Sequence, residues 1–285
     1  MFKRIAAIGF GMLATMLLAT LLVLFWQGRH KPDTSGQYVA LGSSFAAGVG
    51  LGVRASGSPM VCMRSSNGYP HLLAAMTHLS LVDMTCSGST TDHIIYGGQV
   101  FLGPQLEAIG ANTRLVTITS GGNDVGYIGN LTLASRRAGL LGRMFWKTPK
   151  PLADRDFANI TEHFLKIVHA IRQRAPKAVI VLVSYPKVLP DHGSCVDLGF
   201  DQDAADTGRQ VAARLYDATR TAAKQSGAIF VDMANASTGH DVCSSDPWVN
   251  GAAPANGVPF HPNHVGAQAT ATEVLKSISG KLTVG

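Results

Sequence analysis

Four short blocks, far apart in the chain, hold residue types that can do chemistry together. They are GSSFAAG (Gly42–Gly48), CSGST (Cys86–Thr90), GGND (Gly121–Asp124) and HPNHVG (His261–Gly266). A serine hydroxyl becomes a nucleophile when a base takes its proton, and an imidazole with a pKa of about 6.5 suits that task at neutral pH. Attack on an acyl group creates an oxyanion, which needs preorganised donors. A backbone N–H at a helix start, a glycine N–H with no side chain in the way and an Asn amide supply three. Each block alone is weak, because a serine after a strand is most often a helix N-cap and a lone histidine is most often a packing or surface residue. Their setting raises their weight.

That setting is a series of buried strands alternating with helices. YVAL (38–41), LVDMTC (81–86), RLVTITS (114–120), AVIVLVSYP (178–186) and AIFVDM (228–233) read as strands. Between the last three, Phe157, Ile160, Phe164, Ile167, Val168 and Ile171 fall on one helical face, and a second helix follows the Asp201 region and stops at Gly227. Continuously apolar strands separated by helices predict a parallel sheet covered on both faces, an α/β fold with three α/β/α layers. Sites in such folds lie beyond the carboxyl ends of the strands, which is where the first three blocks fall.

The 285 residues suffice for one large domain, read here as 37–285. The net charge of +6 is diffuse, with no basic block beyond Arg136-Arg137 and no nucleic-acid motif, so nucleic acid is excluded as a partner. After a short basic start (1–4), Ile5 to Trp26 runs 22 residues without a charge. At about 1.5 Å per residue that stretch would cross a hydrocarbon core of about 30 Å. It predicts a transmembrane signal-anchor or a signal peptide, a polar linker over 27–36 and an exported domain, tethered to the membrane or secreted after cleavage. The four cysteines, Cys62, Cys86, Cys195 and Cys243, suit two disulfides in an oxidising compartment. They allow three pairings, of which proximity favours Cys62–Cys86 with Cys195–Cys243. Their spacing fits no zinc site, and neither a metal nor a cofactor is expected.

In their order and residues, the four blocks resemble those of the SGNH hydrolases, the GDSL esterases and lipases, and most closely the secreted, disulfide-containing branch. The resemblance spans residues 38–280. It implies a flavodoxin-like open sheet of five parallel strands and an esterase or lipase acting through an acyl-enzyme. It further implies Ser44 as nucleophile, with Gly48 four residues on, and His261 as base. The Ser44 N–H, the Gly88 N–H and the Asn123 side chain would form the oxyanion hole. Asp124 is read as structural, fixing the turn that aims Asn123.

Two departures stand out. Ser43 occupies the position of the family's usual Asp, and Val258 stands where the Asp of an Asp-x-x-His block would orient the base. The Val258 backbone carbonyl or, failing that, the Asp246 carboxylate is the expected orienting group. His264, in the first turn of the last helix, competes with His261 but suits a solvated role better. The segment IGNLTLASRRAGLLGRMFWKTPKPLAD (128–154) is long for an α/β connection and reads as a helix on the domain's edge or, alternatively, as a flap that contacts substrate or membrane. The expected partner is an acyl ester, of a lipid or of an acylated glycan, and the expected state a monomer. An acyltransferase using the same site, and a membrane-anchored glycan- or lipid-binding module without catalysis, are the rival functions.

Overall fold

The computed structural model describes residues 2–29 and 31–282, with 2–11 and 27–29 described only by their place in a helix. Five parallel strands, β1 (Tyr38–Gly42), β2 (Leu81–Asp83), β3 (Leu115–Thr119), β4 (Val179–Val183) and β5 (Ile229–Val231), form one sheet in the order β2-β1-β3-β4-β5. Every predicted strand is present. Those that end in chemistry are shorter than the apolar runs, because residues such as Thr85 and Cys86 leave the ladder to build loops. The helices are α1 (Phe2–Arg29), α2 (Ser44–Ala47), α3 (Tyr69–Thr77), α4 (Thr91–Tyr96), α5 (Tyr127–Arg136), α6 (Gly139–Phe145), α7 (Phe157–Arg174), α8 (Gln202–Ser226), α9 (Met233–Ala236) and α10 (His264–Ile278).

Both faces of the sheet are covered, so β1 and β3 are buried at every residue. On one face α7 and α8 bury Ile160, Phe164, Ile167, Val211 and Leu215 against Val39, Leu41, Val116 and Ile118. On the other, α3 and α10 bury Leu73, Ala271, Val274 and Ile278 against Tyr38, Leu115 and Val181. These faces come from apolar residues three and four apart. Caps set the ends: Asp156 and Asp201 accept from the backbone N–H groups of Asn159 and Ala204, and Gly227 closes α8 in the left-handed conformation. The disulfides are Cys62–Cys86 and Cys195–Cys243.

The expected membrane span over Ile5–Trp26 is not supported. Among the described residues, no helix is long and apolar enough to cross a membrane. Met12–Trp26, the part of α1 with described side chains, covers about 22 Å, short of a hydrocarbon core of about 30 Å, and the remainder of the run lies outside those residues.

The 128–154 connection is two short helices, α5 and α6, rather than one. Leu131 at the start packs into the core, while Leu140, Leu141, Met144 and Phe145 stay exposed.

Candidate active site

Ser44 is placed by the pairing of two neighbouring strands. β1 and β3 run in register to Gly42 opposite Thr119, and the Ser43 N–H still donates to the Thr119 carbonyl at 2.9 Å. Gly42 has φ +136°, and a Cβ there would stand 2.2 Å from the Thr119 oxygen, so only glycine lets the chain leave the sheet here. The backbone then turns into α2 with Ser44 as its first residue. Phe45 packs on Tyr185 with ring centroids 4.6 Å apart and on His261 at 5.0 Å. The Ser43 hydroxyl lies 3.2 Å from the Tyr185 hydroxyl, which also accepts the Gly122 N–H at 3.2 Å. A neutral hydroxyl pair thus stands where the family's carboxylate would be.

His261 arrives from the far end of the chain, and its Nε2 lies 2.8 Å from the Ser44 Oγ. Each of the two residues is only 8 % exposed. Its Nδ1 lies 2.8 Å from the Pro259 carbonyl oxygen. A carbonyl only accepts, so Nδ1 carries the hydrogen and Nε2 is left as the acceptor for the serine O–H, the tautomer a general base needs. Burial pushes the His261 pKa below its ordinary value, opposed by the Pro259 hydrogen bond.

Neither group expected to orient His261 does so. The Val258 carbonyl instead accepts the His261 backbone N–H at 3.3 Å and the Asn250 amide at 3.2 Å. The Asp246 carboxylate lies 3.4 Å from His240 Nδ1, and His240 stacks on Trp248. Phe260, at φ +59°, turns the chain so that the residue two before His261, rather than three before, presents its oxygen to the ring. The loop is held by main-chain bonds on both sides: Asn250 N–H to the His261 carbonyl, Phe260 N–H to the Asn250 carbonyl and Asn263 N–H to the Trp248 carbonyl. His264 is exposed on the first turn of α10, away from this exchange.

Gly88 and Asn123 are joined through Ser89, whose carbonyl accepts from Asn123 Nδ2 at 2.8 Å. An amide nitrogen has two hydrogens, so one remains after that bond. Gly88 has φ +79°, a turn conformation that glycine adopts without strain. The Cys86 N–H donates to the Gly42 carbonyl at 3.0 Å, which brings this block against the end of β1. The Asp124 carboxylate accepts the backbone N–H and hydroxyl of Thr91 at the start of α4, and the Thr91 hydroxyl lies 2.7 Å from His163 Nδ1. Asp124 therefore ties the GGND turn to α4.

Gln105 was not singled out from the sequence. Buried at 4 % exposure, it accepts the Gly42 N–H at 2.8 Å and donates to the Gly42 carbonyl at 3.1 Å and the Ser89 hydroxyl at 2.9 Å. One amide thus fixes the residue two before Ser44 to the residue after Gly88. The only signal was a polar residue between the apolar positions Pro104 and Leu106 in a short turn. A cavity of about 500 Å³, lined by Cys86, His93, Gln99, Gln105 and Arg64, borders this block. Among the described residues, no group of three or more His, Cys, Asp or Glu could hold a metal ion.

Residues 40–269 match the GDSL-like lipase/acylhydrolase family. Lipase 2 of Streptomyces coelicolor is 32% identical over 249 residues, covering 84% of both chains. The crystal structure of an extracellular lipase from Streptomyces rimosus superposes with a TM-score of 0.67 at 27% identity, covering 84% of this chain and 98% of that one. A phospholipase A1 from Streptomyces albidoflavus gives a TM-score of 0.67 at 26% identity, covering 85% and 99%. The strand order, the paired disulfides and these likenesses agree with the four-block resemblance: the chain belongs to the GDSL-like lipase/acylhydrolase family and is a carboxylic ester hydrolase.

Proposed function

We propose that the protein hydrolyses lipid acyl esters outside the cytosol through a Ser44 acyl-enzyme, with His261 as the general acid–base. The observation that carries this reading is the 2.8 Å contact between His261 Nε2 and Ser44 Oγ, shielded from water. As the Ser44 oxygen attacks the ester carbonyl, its proton passes to Nε2. When the tetrahedral intermediate collapses, Nε2 returns that proton to the departing alkoxide and the acyl group remains on Ser44. Water then repeats the sequence in reverse and releases the acid. The Pro259 carbonyl steadies the imidazolium formed in each half-reaction by accepting from Nδ1, in the place that a carboxylate fills in many triads. The Ser44 N–H, the Gly88 N–H and the remaining Asn123 hydrogen are assigned to the oxyanion.

The lipid substrate is supported by the likeness to a lipase and a phospholipase A1, each named for its own activity, and by the exposed apolar residues of α6. Export is supported by two disulfides with no free cysteine among the described residues.

The test is hydrolysis of p-nitrophenyl esters of graded chain length. Ser44→Ala and His261→Ala are each expected to lower kcat by roughly 10⁴-fold or more, and Asn123→Ala by about 10²–10³. Retention of wild-type turnover by either of the first two would reject the assignment.

A further inference from the structure

We propose that the α5–α6 hairpin is a docking surface for an anionic lipid membrane. The proposal rests on the lipid-ester reading above and says how the enzyme reaches such a substrate. In α6, Leu140, Leu141, Met144 and Phe145 are 78, 70, 71 and 77 % exposed. At about 100° per residue these four positions occupy one face of the helix. Gly142 lies outside that face, and a Cβ there would stand 2.3 Å from the Arg136 carbonyl oxygen. The side of α6 that rests on the end of α5 is thus the glycine side, and the apolar side is turned outward.

A row of large apolar side chains left in water calls for a partner. Charge identifies it. Between Asp124 and Asp154 the chain has no acidic residue, yet it has Arg136, Arg137, Arg143, Lys147 and Lys150. An apolar face flanked by cations matches the boundary between anionic headgroups and acyl chains. A second copy of this chain meeting the same face would bring five like charges against five, which opposes self-association there.

The hairpin is preformed. The Arg137 guanidinium donates to the Trp146 carbonyl at 2.5 Å and the Arg143 carbonyl at 3.4 Å, and Arg136 stacks 4.7 Å from the Trp146 ring centre. It is also connected to the reacting residues. A Cβ at Gly199 would lie 3.4 Å from Ser135 at the end of α5 and 3.1 Å from Ala252, and Phe200 packs 5.8 Å from Phe260, the neighbour of His261. The end of α5, on which α6 rests, is thus joined through Gly199 and Phe200 to the loop that carries His261.

The test uses the full chain carrying Ser44→Ala, so that vesicles are not consumed, with Met144→Cys labelled by an environment-sensitive fluorophore. The native cysteines are paired, which leaves the new thiol as the labelling site. A label at Leu140→Cys provides a second position should the first disturb folding. On phosphatidylcholine vesicles containing phosphatidylglycerol the emission is expected to shift to the blue, and on pure phosphatidylcholine at equal lipid it is expected not to. Adding Arg143→Gln with Lys147→Gln is expected to weaken the anionic response about 25-fold, at about fivefold per charge. The same charge pair in the wild-type background is expected to leave hydrolysis of soluble p-nitrophenyl acetate unchanged. A probe that stays aqueous on anionic vesicles, responds equally to both lipids, ignores the charge change, or shifts with protein concentration alone overturns the proposal. Because docking is read with Ser44 removed, loss of the esterase reading would appear separately, as a wild type inert on the soluble ester.

Discussion

Ser44 and His261 touch, yet the two ends of that contact are built differently. The serine end is an extension of the sheet: β1 and β3 stay in register to its threshold, Gln105 and Cys86 clamp Gly42 by amide and main-chain bonds, and the Thr119 carbonyl holds the Ser43 N–H. The histidine end has no strand of the sheet beneath it. Its residue lies 217 positions away on a loop fastened to Trp248 and Asn250, and that second loop is anchored through Cys243 to Cys195. One end is positioned by strand pairing, the other by a covalent bridge, a handful of backbone bonds and the burial of Val249 and Phe260.

Cutting the fastening at the histidine end should have the largest effect. The 48-residue separation of Cys195 and Cys243 corresponds to about 4 kcal/mol of loop entropy. Cys195→Ser with Cys243→Ser is expected to lose stability on that scale in chemical denaturation. Residual folded enzyme should also show a lower kcat, since Trp248 and Asn250 then hold His261 less firmly. Unchanged turnover in the folded fraction would erase the distinction.

The serine end breaks differently. Gln105→Leu strands the Gly42 N–H, at about 1–3 kcal/mol, and takes the amide donor from the Ser89 hydroxyl, which keeps only the Thr90 carbonyl. We expect a stability loss of about 3 kcal/mol, with kcat falling while KM stays near the wild-type value. The Ser44 loop and the Gly88 turn would drift apart without loss of the outer binding surface. A rise in KM alone would place Gln105 in substrate binding instead.

The smallest effect is a displacement along the pH axis. Burial disfavours the imidazolium, so His261 is neutral to lower pH than a free histidine, and the acid limb of kcat/KM should fall below about 6.5. The sign for stability follows. The unfolded chain takes up this proton at higher pH than the folded one, so the His261 contribution is intact above about 6.5 and is lost as pH falls towards the lowered folded value. His261→Gln should remove that part of the slope. An acid limb above 6.5 would contradict a buried, neutral base.

What the sequence made legible divides along the same line. All five strands and the α7 and α8 faces were readable, since continuous apolar runs and three-four spacing are direct consequences of burial on a parallel sheet. Three of the blocks stood out because chemistry at strand ends replaces apolar residues with Ser, Gly and Asn, and the His block stood out by its place just before the last helix. Pro259 was not legible: its part is played by a carbonyl, which every residue has, and which carbonyl meets the ring depends on the positive φ of Phe260. Gln105 lay in a turn without a motif, and its significance arises only where Gly42 and Ser89 meet in space. The charge-free run at the N-terminus was plain to see, but no membrane span follows from it among the described residues.

Covalent capture by a fluorophosphonate, followed by peptide mass mapping, tests the Ser44–His261 pair at its reacting atom. A single adduct is expected on the peptide containing Ser44, absent in Ser44→Ala and formed at least a hundredfold more slowly in His261→Ala. An adduct on Ser43 or elsewhere, or labelling of Ser44 at an undiminished rate without His261, would contradict that pairing.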